Sequence, residues 1–243
     1  MRTATLPRVL VLAAGLLILK VTVAVTSNYV NYFPPNFDAD FLRGRERYFA
    51  GSYHWAFFIH ILAGPPALLL GLILLSETFR ARFPKWHRYL GRIQALNVLV
   101  LLAPSGLWMA YRAAAGPVAG LGFAVLAILT GTTIALGWTA AVKRQFAVHR
   151  RWMWRCFLLL CSTVVLRLMA GLESVTEVQA VWIDLAIPWA SWLVPLGVFE
   201  VWRVASAKRS PSRVHSGTRE SSDRPTGNGI LANSARLVRN SVQ

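Results

Sequence analysis

Six apolar runs, each close to the roughly 20 residues that a helix needs to cross a bilayer, leave this chain few folds. They lie at about Val9–Val25, Trp55–Leu75, Tyr89–Tyr111, Val118–Val142, Trp152–Leu172 and Val181–Val201. Inside lipid every backbone N–H and C=O must be paired within the protein, and for runs of this length the helix does that. The fold class expected is all-α: an integral membrane bundle of six transmembrane helices spanning residues 1–202. A basic tail follows at 203–243, too rich in Ser, Arg, Asn and Gly to bury a core, and is expected to be disordered.

The formal net charge is +16. In a soluble chain that would suggest nucleic acid. Here the basic residues sit in Arg2/Arg8, the loop before Tyr89, the loop before Trp152 and the tail, and they alternate with neutral or acidic loops. That alternation follows the positive-inside rule. It puts both termini and both basic loops in the cytoplasm, and the expected location is the bacterial cytoplasmic (inner) membrane, multi-pass. No nucleic-acid motif is present, so membrane lipids are the expected partners. The basic start and apolar core of the first run also fit a cleaved signal peptide, but an uncleaved helix is favoured, since the run resumes beyond Lys20 with no clear small-residue cleavage site. Ser27–Tyr53 is polar and aromatic and suits the headgroup layer, with a short helix expected around Asp40–Tyr48. Cys156 and Cys161 point to different faces of one helix and cannot pair with each other.

The polar residues inside the runs carry the functional question. The second span holds His60, Gly64 and Pro65–Pro66, and proline at 65 and 66 frees the carbonyls of Ile61 and Leu62. At 1.5 Å per residue, His60 lies about 8–9 Å below the outer surface and Arg167 about 22 Å above the inner one. Pro104 and Pro188 fall near that level, with Asp184 slightly further out. These residues are expected to line an outer-side polar cavity. The competing reading pairs Arg167 with Asp184 or with a freed carbonyl, purely to hold the bundle.

A second cluster opens the third and fifth spans, as Trp-His87-Arg88-Tyr-Leu-Gly-Arg92 and His149-Arg150-Arg151-Trp-Met-Trp-Arg155. Helical periodicity continues these into polar stripes, His87–Gln94–Ser105 and His149–Cys156–Arg167. The separation of His60 from His87 equals that of Gly122 from His149, which suggests a diverged internal repeat. His87 and His149 share a depth, so they are candidate axial ligands for a b-type haem, whereas His60 has no histidine partner on another helix at its level. Adjacent Arg88, Arg92 and Arg150 favour an anion over an unaided metal ion, and no metal site is assigned. Ser-His-Asp, HExxH and P-loop patterns are absent from the sequence. His215, in the tail, is read as solvated.

His60-Ile-Leu-Ala-Gly64, Pro84-Lys-Trp-His87-Arg-Tyr-Leu-Gly91-Arg92 and His149-Arg-Arg-Trp-Met153-Trp-Arg155 with Arg167-Leu resemble a family of predicted bacterial membrane proteins, domain of unknown function 2306. The resemblance covers about residues 29–172. It implies a multi-helix membrane protein and brings no activity with it. The chain also looks distantly like membrane b-type cytochromes of the ascorbate and ferric reductase kind. Those place paired histidines on four consecutive helices, and the fourth span here has none. Three functions are therefore carried forward. One is a transport, lipid-binding or accessory protein working through the outer-side cavity. Another is a haem-dependent electron-transfer protein, the one form in which the chain would be an enzyme, a membrane oxidoreductase. The last is a structural bundle without a ligand.

Overall fold

The computed structural model describes residues 5–39, 41–176 and 181–208. Asp40, Glu177, His215 and the tail from Arg209 onward lie outside the described residues. Among the described residues the regular structure is helical throughout. The first helix, α1 (Thr5–Ser27), runs into a 3₁₀ turn over Asn28–Tyr32. After the short α2 (Glu46–Phe49) come α3 (Ser52–Leu75), α4 (Glu77–Arg82) and α5 (Pro84–Leu96). A π-wound segment, Asn97–Leu102, continues directly into α6 (Ala103–Ala110). Then follow α7 (Pro117–Val142), α8 (Phe146–Leu160), α9 (Ser162–Thr176) and α10 (Val181–Lys208). Six stretches are long and apolar enough to span a membrane: Val9–Tyr32, Ser52–Leu75, Pro84–Ala110, Pro117–Val142, Phe146–Glu173 and Trp182–Lys208.

Several boundaries move from those expected, each for a local reason. The third span starts at Pro84, because proline at the first helical position loses no intrahelical bond. Most of the expected loop before it is the helix α4, capped by Ser76, whose Oγ accepts the Phe79 N–H at 3.2 Å. The sixth span continues to Lys208, through the first residues of the segment read as tail. The fifth span is not one regular helix, since Cys161 forms a turn between α8 and α9. Between α6 and α7 the chain reverses at Gly116, whose φ of +88° suits glycine.

Spans two to five form the centre of the bundle, α1 lies against α3 and α9, and α10 lies against α7, α8 and α9. Membrane helices approach closely where small residues allow it. A Cβ on Gly71 would stand 2.8 Å from the Phe157 ring, and one on Gly122 would stand 3.0 Å from the Trp189 indole nitrogen. That indole N–H donates to the Val118 carbonyl at 3.1 Å and fastens α10 to α7. At the other end of α10, Arg155 Nε donates to Glu200 Oε1 at 2.6 Å and Arg203 Nε to Oε2 at 2.8 Å. Glu200→Gln removes the charge that both guanidiniums share. It is expected to cost about 1–2 kcal/mol, discounted because the three groups are partly exposed. A melting curve in detergent would register this as a lower midpoint, and an unchanged midpoint would show that the triad contributes nothing.

The exterior is apolar, with Leu10, Leu12, Leu16, Val194, Val198 and Val201 all exposed. A water-facing surface of that kind would aggregate, so these side chains face lipid. One end of the bundle carries the basic loops. At the other, the residues expected in the headgroup layer form a compact aromatic cap. Tyr32, Leu42, Phe49, Tyr53 and Phe57 are buried together. The Phe41 ring stacks on Phe57 with centroids 5.4 Å apart, and the Arg45 guanidinium lies 4.3 Å from the centre of the Phe41 ring. Arg45 Nη1 also donates to Tyr53 Oη at 2.6 Å. The helix in this segment is Glu46–Phe49, shorter than expected and at the far end of the range.

Candidate functional site

The two prolines of the second span do not end it, and α3 runs through both. Pro65 has no N–H to offer the Ile61 carbonyl, and the Tyr29 hydroxyl donates to that carbonyl instead. Two amides of the third span hold the same helix lower down. Asn97 Nδ2 donates to the Ala63 carbonyl at 3.0 Å, and Gln94 Nε2 to the Ala67 carbonyl at 2.8 Å. Part of the expected polar stripe from His87 is thus a seam between spans two and three.

Higher on the same seam is His60. Its Nδ1 lies 3.2 Å from Ser105 Oγ. The Ser105 hydroxyl lies 2.5 Å from the Leu101 carbonyl and 3.1 Å from that of Leu102, so its proton is directed at the backbone. His60 Nδ1–H is then the donor to Ser105, and Nε2 carries the lone pair. The ring sits over Gly106, where a Cβ would stand 3.0 Å from Cε1. This contact falls immediately after the π-wound turn, in which Ala103 N–H bonds the Val98 carbonyl five residues back. Pro104 follows without an N–H of its own. Wide turns of this kind recur at functional sites.

Ser105 and Pro104 also line a cavity of about 260 Å³ on the outside of the seam, with Ser52, Ile59, Val100 and Trp108. Apart from the two serines its walls are apolar, and it opens sideways, where Ile59, Val100 and Trp108 are exposed. Arg167 and Asp184 are not part of it. Both are exposed, and among the described residues no ion pair joins them. Depth counting assumed one regular helix from Trp152, and the turn at Cys161 interrupts that helix before Arg167. Arg167 is instead an electrostatic neighbour of Tyr29. Pro188 is buried inside α10. A second hollow, of about 410 Å³, lies on the aromatic cap between Phe33, Pro34, Pro35, His54 and Trp55.

At the basic end, His87 and His149 are each the fourth residue of their helices. His149 Nδ1 lies 2.8 Å from the Gly137 carbonyl, to which it donates. His87 Nδ1 is buried without a hydrogen-bond partner. Arg88 and Arg92 are exposed. Arg150 is held by Glu77, an acid that sequence reasoning passed over, at 3.1 Å. Its being the one carboxylate in a basic loop was the available signal. Glu200 was missed in the same way, as the one acid at the end of the sixth span. Among the described residues no cluster of three or more His, Cys, Asp or Glu could hold a metal ion.

Six apolar helices, an apolar exterior and polar groups paired across helices define a multi-pass integral membrane protein. Residues 57–203 match the family model described as predicted membrane protein, domain of unknown function 2306, and the chain belongs to that family. The matched region begins inside α3 and ends within the sixth span, so it starts later and ends later than the resemblance read from the histidine motifs. The first helix and most of the aromatic cap lie outside it. No curated protein and no solved structure matches the chain.

Proposed function

We propose that this protein binds the apolar chain of a lipid or lipid-like amphiphile in the lateral groove between α3 and α6, in the leaflet opposite the basic loops. With the basic loops cytoplasmic, that is the outer leaflet. The supporting observation is the groove itself: about 260 Å³, walled mainly by apolar side chains, with Ile59, Val100 and Trp108 exposed at its mouth. Ser105 in its wall is hydrogen-bonded to His60, which does not itself line the groove. Because Ser105 directs its proton at the backbone, it is a poor nucleophile, and the pair serves binding better than acyl transfer. His60 and Ser105 keep the π-wound turn in place, and that turn shapes the groove wall at Val100 and Leu101.

The test is photolabelling in liposomes with a phospholipid carrying a photoreactive acyl chain, followed by mass mapping of adducts. Adducts are expected several-fold enriched at Ile59, Val100, Leu101 and Trp108 over the lipid-facing residues Leu12 and Val198. Ala56→Trp, which fills the groove, should abolish the enrichment. Even labelling of all lipid-facing residues would refute the reading.

A further inference from the structure

The aromatic cap carries a hollow of its own, apart from the lateral groove. It holds about 410 Å³ and is lined by the rings of Tyr32, Phe33, His54, Trp55 and Phe58, with two prolines. Trp55 is the fourth residue of α3, and Phe33 is the first residue beyond the first span, Val9–Tyr32. The hollow therefore stands at the edge of the apolar core, at headgroup level. Its inner rings hold one another in place. Phe58 packs against Phe33 and His54, both with centroids 4.7 Å apart, and Tyr32 makes a T-shaped contact with Phe57 at 5.2 Å. The outer rings stay open, Phe33 being 53% exposed and Trp55 69%.

The chemistry of the walls selects the ligand. A phosphate needs charged donors, and the guanidinium of the cap, Arg45, is already laid over the Phe41 ring at 4.3 Å with Nη1 given to Tyr53 Oη at 2.6 Å. A primary ammonium carries three N–H donors that need acceptors, and these walls are mostly ring carbon and proline. A trimethylammonium group needs neither donor nor acceptor. Its positive charge is spread over methyl groups, which fit against ring faces and are attracted by the ring quadrupoles. We propose that this hollow binds a trimethylammonium group, with the open rings of Phe33 and Trp55 as its principal contacts. Arg45 on Phe41 shows a ring of the same cap already carrying a delocalised cation. The group can end a lipid headgroup of the adjoining leaflet or belong to a free solute, because the rings recognise the same cation in either case.

Saturation-transfer NMR of the methyl protons reads binding to full-length, delipidated protein in dodecyl maltoside, a detergent without an ammonium group. The probes are choline and dibutanoyl phosphatidylcholine, and the control is the uncharged tert-butyl analogue of choline. Saturable binding of at least one cationic probe is expected, about fivefold or more tighter than the analogue, the usual worth of a cation–π contact. Binding of phosphatidylcholine alone assigns the lipid headgroup, and binding of choline assigns the cation by itself. Trp55→Leu and Phe33→Leu, which exchange exposed rings for apolar chains, should each weaken binding about fivefold. Trp182→Leu, on a tryptophan that is likewise 69% exposed but outside the hollow, should leave it unchanged. The proposal is overturned if neither cationic probe binds, if the tert-butyl analogue binds as tightly, or if both ring variants bind like wild type. The comparison with the analogue uses the wild-type protein, so it decides the question even where a variant fails to fold. The hollow and the lateral groove share no lining residue, so either reading can fail without the other.

Discussion

Gly120→Ala is expected to lower the stability of the folded protein by about 1–3 kcal/mol, the cost of forcing atoms into a filled interior. A Cβ at residue 120 would stand 2.6 Å from the Ala110 carbonyl oxygen. Backbone at a helix end cannot turn aside as a side-chain tip can, so α6 and α7 would have to separate where they meet. The same substitution at Gly137 is a useful contrast. There a Cβ would come 2.1 Å from Met153 Cε, a shorter distance but to the far end of a flexible chain. Melting curves in detergent should therefore rank Gly120→Ala as the more damaging of the two. The reverse order would mean that α6 and α7 yield more easily than the methionine does.

The second large effect concerns Tyr29 and Pro65. Tyr29→Phe leaves the Ile61 carbonyl without its donor in a nonpolar environment, which should cost about 1–3 kcal/mol. The loss matters only because Pro65 cannot supply an N–H. In a Pro65→Ala background, residue 65 can bond that carbonyl through the helix, and Tyr29→Phe should then cost little. The double-mutant cycle should give a coupling of about 1 kcal/mol or more. Additive effects would mean that the hydroxyl is not the carbonyl's working partner. The cycle also tests whether α1, which lies outside the family match, is integral to the bundle.

Much of this was legible in the chain. Apolar runs of bilayer length identify the spans, because lipid demands that each segment satisfy its own backbone. Pro65 identified a carbonyl needing a partner, and the polar stripe from His87 through Gln94 to Ser105 followed from 100° per residue. What was hidden lay across helices. That Tyr29 fills the gap left by Pro65 depends on a loop folding back onto α3. That Ser105 meets His60 depends on register between two spans, which composition does not set. Arg167 shows what counting along one helix leaves open: the turn at Cys161 interrupts that helix, and the exposed Arg167 is not among the residues that line the groove.

The chain by itself determined the fold class, the number of candidate spans and the gathering of positive charge at one end, since each follows from local hydrophobicity and the cost of exposed backbone in lipid. Tertiary structure decided which polar groups meet. It joined His60 to Ser105 beside a lateral groove and left Arg167 and Asp184 apart. It turned the segment before the second span into an aromatic cap and left His87 Nδ1 buried without a partner. The physical reason is that hydrogen bonds and close packing act over a few ångströms, so partners distant in sequence become definite only when helices take their places.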